Sequence, residues 1–290
     1  MALLEERDLP SGYMTTGHDW NGIKELNSPV PGLVYFFLWA TLAFAVLYWV
    51  LMPAWPLGLT FTKGLLGTNQ RKVLAASIKA AAPETASWTS RIASLDYPAI
   101  QADAALMQSV RRTGHTLFAD NCAACHGAQG KGQSGFPNLA AGVWQWGGEP
   151  ATIAQTLRVG INSAHSESRV SQMLAFGTQG VLKKPEIASV AEYVLSLSHA
   201  GLDAAQVAVG KTIFAANCVV CHGQAGKGNL ELGAPDLTDE IWLYGGDKES
   251  ILKTITFGRL GHMPAWEARL SEVQRKILAL YVADLGARPK

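Results

Sequence analysis

The sequence is poor in cysteine and nearly balanced in charge. Only four cysteines occur in 290 residues, all in two short pairs, Cys122/Cys125 and Cys218/Cys221. None is left to close a long loop, so the scattered pattern of a disulfide framework is absent. Net charge is +1, from 24 Lys and Arg against 23 Asp and Glu. Lys and Arg gather into no arm or stripe, which excludes the electrostatic footprint of a nucleic-acid partner. No paired carboxylates or activated nucleophile point to acid–base or covalent catalysis. The length allows about two domains.

Charge is missing altogether from residues 32–52, GLVYFFLWATLAFAVLYWVLM. Roughly 20 apolar residues at 1.5 Å each span a hydrocarbon core. Tyr35 lies near one end and Tyr48, Trp49 and Trp55 near the other, as interfacial aromatics do. A cleaved signal peptide would have a basic start, a shorter apolar stretch and a small-residue end. The expectation is an uncleaved transmembrane helix over 31–52, in contact with lipid, after an N-terminal segment over 1–30. Arg7 and Lys24 precede the span, and Lys63, Arg71, Lys72 and Lys79 follow it. Taken alone, the positive-inside rule puts the C-terminal side in the cytoplasm.

Residues 53–104 read as a linker. Its Ala-rich stretch RKVLAASIKAAA predicts a short helix ended by Pro83. Beyond it the chain repeats itself. Gly114-His-Thr-Leu-Phe-Ala-Asp-Asn-Cys122 matches Gly210-Lys-Thr-Ile-Phe-Ala-Ala-Asn-Cys218 at an offset of 96. Val143-Trp-Gln-Trp-Gly-Gly148 matches Ile241-Trp-Leu-Tyr-Gly-Gly246 at an offset of 98. Two copies of this size predict two similar small domains rather than a solenoid. Each reads as mostly helical. Middle helices are expected after Pro150 and near Asp247. Last helices are expected near Pro185 and at Ser271, where Ser271-Glu-Val-Gln274 is a capping box. Domains this small have thin cores, which a large flat cofactor would fill.

Both copies carry C-x-x-C-H: Cys122-Ala-Ala-Cys125-His126 and Cys218-Val-Val-Cys221-His222. This is the pattern of covalent c-type haem attachment. Two thiols three residues apart can bond the vinyl groups on one porphyrin edge, and the next residue is then placed to ligate the iron. A zinc site could use two C-x-x-C pairs, but these lie in separate copies, each with its own His. The expected cofactors are therefore two haem c groups. Of six methionines, only Met173 and Met263 follow a haem motif, in similar settings (Met-Leu-Ala-Phe and Met-Pro-Ala-Trp). Each is a candidate axial ligand, against the commoner fate of a core methionine. Chain order pairs Met173 with His126 and Met263 with His222, although pseudo-symmetric domains could exchange these loops. His165 and His262 are rival ligands by position. His18, His115 and His199 read as surface or packing residues.

Both copies resemble class I cytochrome c domains. The resemblance rests on Gly114 and Phe118, Gly210 and Phe214, the haem motifs, the Pro-x-Leu loops, the methionines, and Tyr193 and Tyr281. The whole chain is similar to the dihaem subunit family of cbb3-type cytochrome c oxidases. Its most specific likeness is the stretch His18-Asp-Trp-Asn-Gly-Ile-Lys-Glu-Leu-Asn-Ser-Pro29. The resemblance implies a mainly α fold, with one N-terminal transmembrane helix followed by two tandem cytochrome c domains, 105–200 and 201–290. It implies electron entry from a donor cytochrome c. Electrons would pass to a monohaem cytochrome c subunit and then to a catalytic haem–copper subunit that reduces oxygen and pumps protons. The haem domains would lie in the periplasm, bound to the bacterial inner membrane, against the charge rule. The other reading of the same motifs is a free-standing membrane-anchored carrier, or the cytochrome subunit of a dehydrogenase.

Overall fold

A computed structural model describes residues 6–287, in two compact units divided at Pro83/Glu84. The chain is mainly helical. The first unit opens with an antiparallel hairpin, β1 (Thr15–Trp20) and β2 (Ile23–Leu26). Asn21 and Gly22 form its two-residue turn with φ of +56° and +91°, the geometry for which Asn-Gly is preferred. The hairpin was not expected from the sequence, although Asn21-Gly22 is a recognised hairpin signal. Helix α1 follows (Gly32–Leu51), with no buried side chain along its length. It is long and apolar enough to cross a membrane. The chain then turns back on the helix end. Leu65 and Leu66 donate their N–H groups to the carbonyls of Val50 and Leu51 at 2.9 and 3.0 Å. Those carbonyls belong to the last turn, which has no partners within the helix.

Helix α2 spans Gln70–Ser94 and continues through Pro83. The expected stop at Pro83 is therefore corrected: the proline removes one hydrogen bond, but the strongly helix-forming alanines before it carry the helix on. Past the division, residues expected to be mere linker serve the second unit's core. Ile92, and Ile100 of α3 (Tyr97–Ala102), are fully buried there.

The second unit contains α4 (Ala104–Asn121), α5 (Ala123–His126), α6 (Pro150–Val159), α7 (Lys184–Ser196), α8 (Ala204–Asn217), α9 (Val219–His222), α10 (Lys248–Phe257) and α11 (Glu272–Ala287). The expected middle and last helices are present. The capping box at Ser271 is made: Ser271 N–H donates to Gln274 Oε1 at 2.9 Å, and Gln274 N–H to Ser271 Oγ at 3.3 Å.

The two apolar cores do not follow chain order. The first joins α4 and α6 of the first repeat to α11, the last helix of the second, burying Phe118, Leu157, Leu278 and Tyr281 together. The second joins α8 and α10 of the second repeat to α7, the last helix of the first, burying Phe214, Ile251, Val190 and Tyr193. Glycines let the helices touch. A Cβ on Gly114 would lie 2.6 Å from Tyr281 Cβ, and one on Gly210 would lie 1.9 Å from the Ser189 carbonyl oxygen. Ion pairs match the crossing, Arg111–Asp284 at 2.8 Å and Lys248–Glu192 at 2.6 Å. The physical cause is the brief connection over 197–203, which folds α7 directly onto α8 as a helical pair. With α7 so engaged, the place on α4 and α6 is taken by α11.

Candidate haem centres

Each C-x-x-C-H motif closes a long helix and opens a single short turn. Cys122 N–H donates to the Phe118 carbonyl at 2.8 Å, and Cys218 N–H to the Phe214 carbonyl at 2.8 Å. His126 and His222 then bond back to the carbonyls of Cys122 and Cys218, both at 2.9 Å. Gly127 and Gly223 end the turns at φ of +75° and +72°, a conformation that suits glycine.

The histidines are set for metal. Nδ1 of His126 donates to the Pro137 carbonyl at 3.1 Å, and Nδ1 of His222 to the Pro235 carbonyl at 3.1 Å. These bonds fix the tautomer and leave each Nε2 lone pair free, the usual outer-shell arrangement for a ligating His. Burial lowers both imidazole pKa values, with the proline carbonyls opposing it. Burial thus favours the neutral ring, the form that can ligate iron. Burial raises the Cys122 and Cys218 thiols to about 11, helped by Cys125 and Cys221. No disulfide joins any of the four cysteines. Cys122 packs on the first core and Cys218 lies in the second, and among the described residues no three His, Cys, Asp or Glu gather as for a metal ion.

Met263 packs against the core that holds Cys122, and Met173 against the core that holds Cys218. This reverses the chain-order pairing, and it follows from the crossing of α7 and α11. Two reciprocal backbone bridges fix the methionines. Ile161 and Met263 bond each other's backbone at 2.9 Å in both directions, as do Met173 and Arg259. The rival histidines stand elsewhere. His165 Nε2 is bonded to Glu267 at 2.9 Å, and His262 is exposed. His18 is on the surface beside Glu25, and His115 packs edge-on to Tyr281.

Sequence reasoning missed the residues that suit the acidic edge of a haem. Trp146 Nε1 is buried without an acceptor. The Arg169 guanidinium stacks 4.7 Å from the ring centroid of Trp146, and Arg259 stacks 4.3 Å from that of Tyr244. Burial pushes the Arg169 pKa down, so this cation lacks a full share of water. An orphan N–H beside a desolvated cation suits a carboxylate, and haem carries two propionates. The residues present therefore fit the group. The signal was the paired Trp-x-Trp and Trp-x-Tyr of the repeats, with an Arg four residues before each Met.

Two helical cores, each with a C-x-x-C-H turn, a neutral His and a Met, define a cytochrome c protein. Comparison with known sequences narrows this. The family described as "N-terminal domain of cytochrome oxidase-cbb3, FixP" matches residues 12–58. "Cytochrome c" matches 112–198, and "Cytochrome C oxidase, cbb3-type, subunit III" matches 205–282. The chain is 46% identical to the cbb3-type cytochrome c oxidase subunit FixP of Bradyrhizobium diazoefficiens over 285 residues, 97% of each chain. It is 43% identical to subunit CcoP of Azospirillum brasilense, over 97% of this chain and 98% of that one. To subunit CcoP of Cereibacter sphaeroides it is 41% identical over 99% of each. The chain belongs to the FixP/CcoP family of cbb3-type cytochrome c oxidase subunits.

Proposed function

We propose that this chain is the dihaem electron-transfer subunit of a cbb3-type terminal oxidase. The observation that carries the reading is the meeting, in each core, of one C-x-x-C-H turn with one methionine. In this reading Cys122 and Cys125 hold one haem c by thioether bonds, and Cys218 and Cys221 hold the other. His126 and Met263 would hold the first iron, and His222 and Met173 the second. Bound haem supplies one-electron exchange at a potential raised by Met ligation, with the iron closed to small ligands.

The protein's part is to hold these ligands still. The Pro137 and Pro235 carbonyls orient the imidazoles, the backbone bridges hold the methionines, and Trp146, Arg169 and Arg259 would receive the propionates. No step of oxygen chemistry falls on this chain. A donor cytochrome c reduces it, and electrons pass to the monohaem subunit and to the haem–copper subunit, where oxygen is reduced with proton pumping. Helix α1 crosses the bacterial inner membrane, with both haem domains in the periplasm. Long domains translocate largely regardless of the charges beside a span, so Lys63 to Lys79 do not decide the orientation.

The test is purification of the tagged chain in mild detergent, with and without residues 1–29. Co-purifying subunits with b-type haem, lost on deletion, are expected. A full chain that brings no oxidase subunits refutes the assignment.

A further inference from the structure

Asn162 stands where the two methionine loops meet. It follows α6 with φ +49°, a left-handed conformation that Asn adopts more readily than most residues. Its Nδ2 donates to the Ser171 carbonyl and to the Gly261 carbonyl, both at 2.7 Å. Its Oδ1 accepts from Ser171 N–H at 3.1 Å. Ser171 lies two residues before Met173, and Gly261 two before Met263. One half-buried amide thus spends both of its donor hydrogens, and an acceptor site, on the two ligand loops. Its own backbone is fixed as well: Asn162 N–H donates to the Arg169 carbonyl at 2.7 Å, and the preceding Ile161 is bridged to Met263. The repeat partner of Asn162 at the offset of 98 is Leu260, an exposed side chain with no polar group. Among the described residues Asn162 is the one side chain that bonds the backbone of both loops, and it is supplied by the first repeat.

We propose that Asn162 is a positioning residue for both haem irons, tying the Met173 and Met263 loops to each other through one side chain. The inference rests on the reading that these methionines are the axial ligands. It goes further in making the two iron–sulfur bonds share a support. Removing either methionine should disturb one haem, whereas removing the Asn162 amide should loosen both.

The test uses the full haem-loaded chain in detergent. Asn162→Gly removes the amide without straining the positive φ. Asn162→Asp keeps the shape and Oδ1 but loses both donors, and it sets a carboxylate against two carbonyls. The readouts are the sulfur-to-iron charge-transfer band of each ferric haem, a redox titration, and imidazole binding. Each loop loses at least one hydrogen bond, so imidazole affinity should rise roughly fivefold or more at both haems; in Asn162→Gly it should rise more at the Met173 haem, whose loop then loses two. Both potentials should fall. Wild-type bands at both haems, with a change at only one haem or neither in the variants, would overturn the proposal. A wild type without those bands, or Met→Ala variants with unmoved potentials, would show that the ligand reading itself had failed, and the proposal with it. If one Asn162 variant does not load both haems, the other decides.

Discussion

Gly160→Ala is the most informative single change. Gly160 ends α6 at φ +71°, and a Cβ there would lie 2.4 Å from the Met263 carbonyl oxygen and 2.7 Å from Ala265 N. Two costs add. The left-handed conformation costs a residue with a Cβ about 1–2 kcal/mol. Making room against backbone in a packed site costs a further 1–3 kcal/mol or so. The total is about 3 kcal/mol, which for a unit of this size lowers the Tm by roughly 6–12 °C. Because the displaced carbonyl is that of Met263, the sulfur-to-iron band should weaken most at one haem. Crossed pairing makes that the haem on Cys122 and Cys125, whereas chain-order pairing makes it the other. A protein lacking Cys218 and Cys221 supplies the reference spectrum of the first haem. Gly258, with φ +69° and its Cβ position 2.4 Å from the Met173 carbonyl oxygen, is the mirror experiment. Gly160→Ala with stability unchanged within about 0.5 kcal/mol would refute the packing argument. A greater loss of the band at the Cys218 haem than at the Cys122 haem would refute the crossed pairing.

Met263→Ala should lower the potential of the haem on Cys122 and Cys125, and Met173→Ala that of the other, with covalent attachment kept in both. Redox titration of the purified variants checks this. Gly210→Ala gains about 1 kcal/mol of helix preference but loses about 3 kcal/mol where the Cβ meets the Ser189 carbonyl. A net loss of about 2 kcal/mol in thermal or chemical unfolding is therefore expected. Acid should loosen the starts of α4 and α10. Asp103 is held below the usual carboxylate range by Leu106 N–H and then Arg91, and Asp247 by the Ser250 hydroxyl and N–H. Their contributions are present above the ordinary carboxylate pKa and are lost as pH falls through the lower folded values. Asp103→Asn should flatten that acid slope. Finally, a chain cut after residue 203 should yield no stable Met-ligated haem domain, since α4 would lose α11 and α7 would lose α8. A folded, Met-ligated product seen by absorbance and circular dichroism would show that the repeats stand alone.

Much of this was legible in sequence because it is local. The C-x-x-C-H turns, the capping box at Ser271 and the apolar run of α1 each depend on residues within a few positions of one another. The Asn21-Gly22 hairpin was equally local, and it went unread because its strands are short and exposed. Other features were not legible because they are set by competition at long range. Repeat logic assigns α7 to α4 and α11 to α8, since each repeat begins and ends alike. Nothing in the identity of Tyr193 or Tyr281 says which glycine it will cover, because Gly114 and Gly210 accept a tyrosine in the same way. The connection over 197–203 breaks the tie. It costs little to close a loop this short, so α7 meets α8 before α4 can compete for it.

That tie-break has a consequence for function. In tandem independent domains, each iron would take its methionine from its own repeat, and damage to one centre would leave the other intact. Here the end of α6 holds Met263 and the end of α10 holds Met173, so each methionine is bridged to the repeat it does not belong to. The first core draws on residues from Ile92 to Leu285 and cannot close until the last helix is in place. Contacts of such separation slow folding, and that is a cost the arrangement must bear. In return, both methionine loops run through one junction, within reach of the Asn162 amide. A subunit that relays electrons gains from this, because an iron that loses its methionine drops in potential and interrupts the path. Two loops that brace each other lower the chance that either one opens.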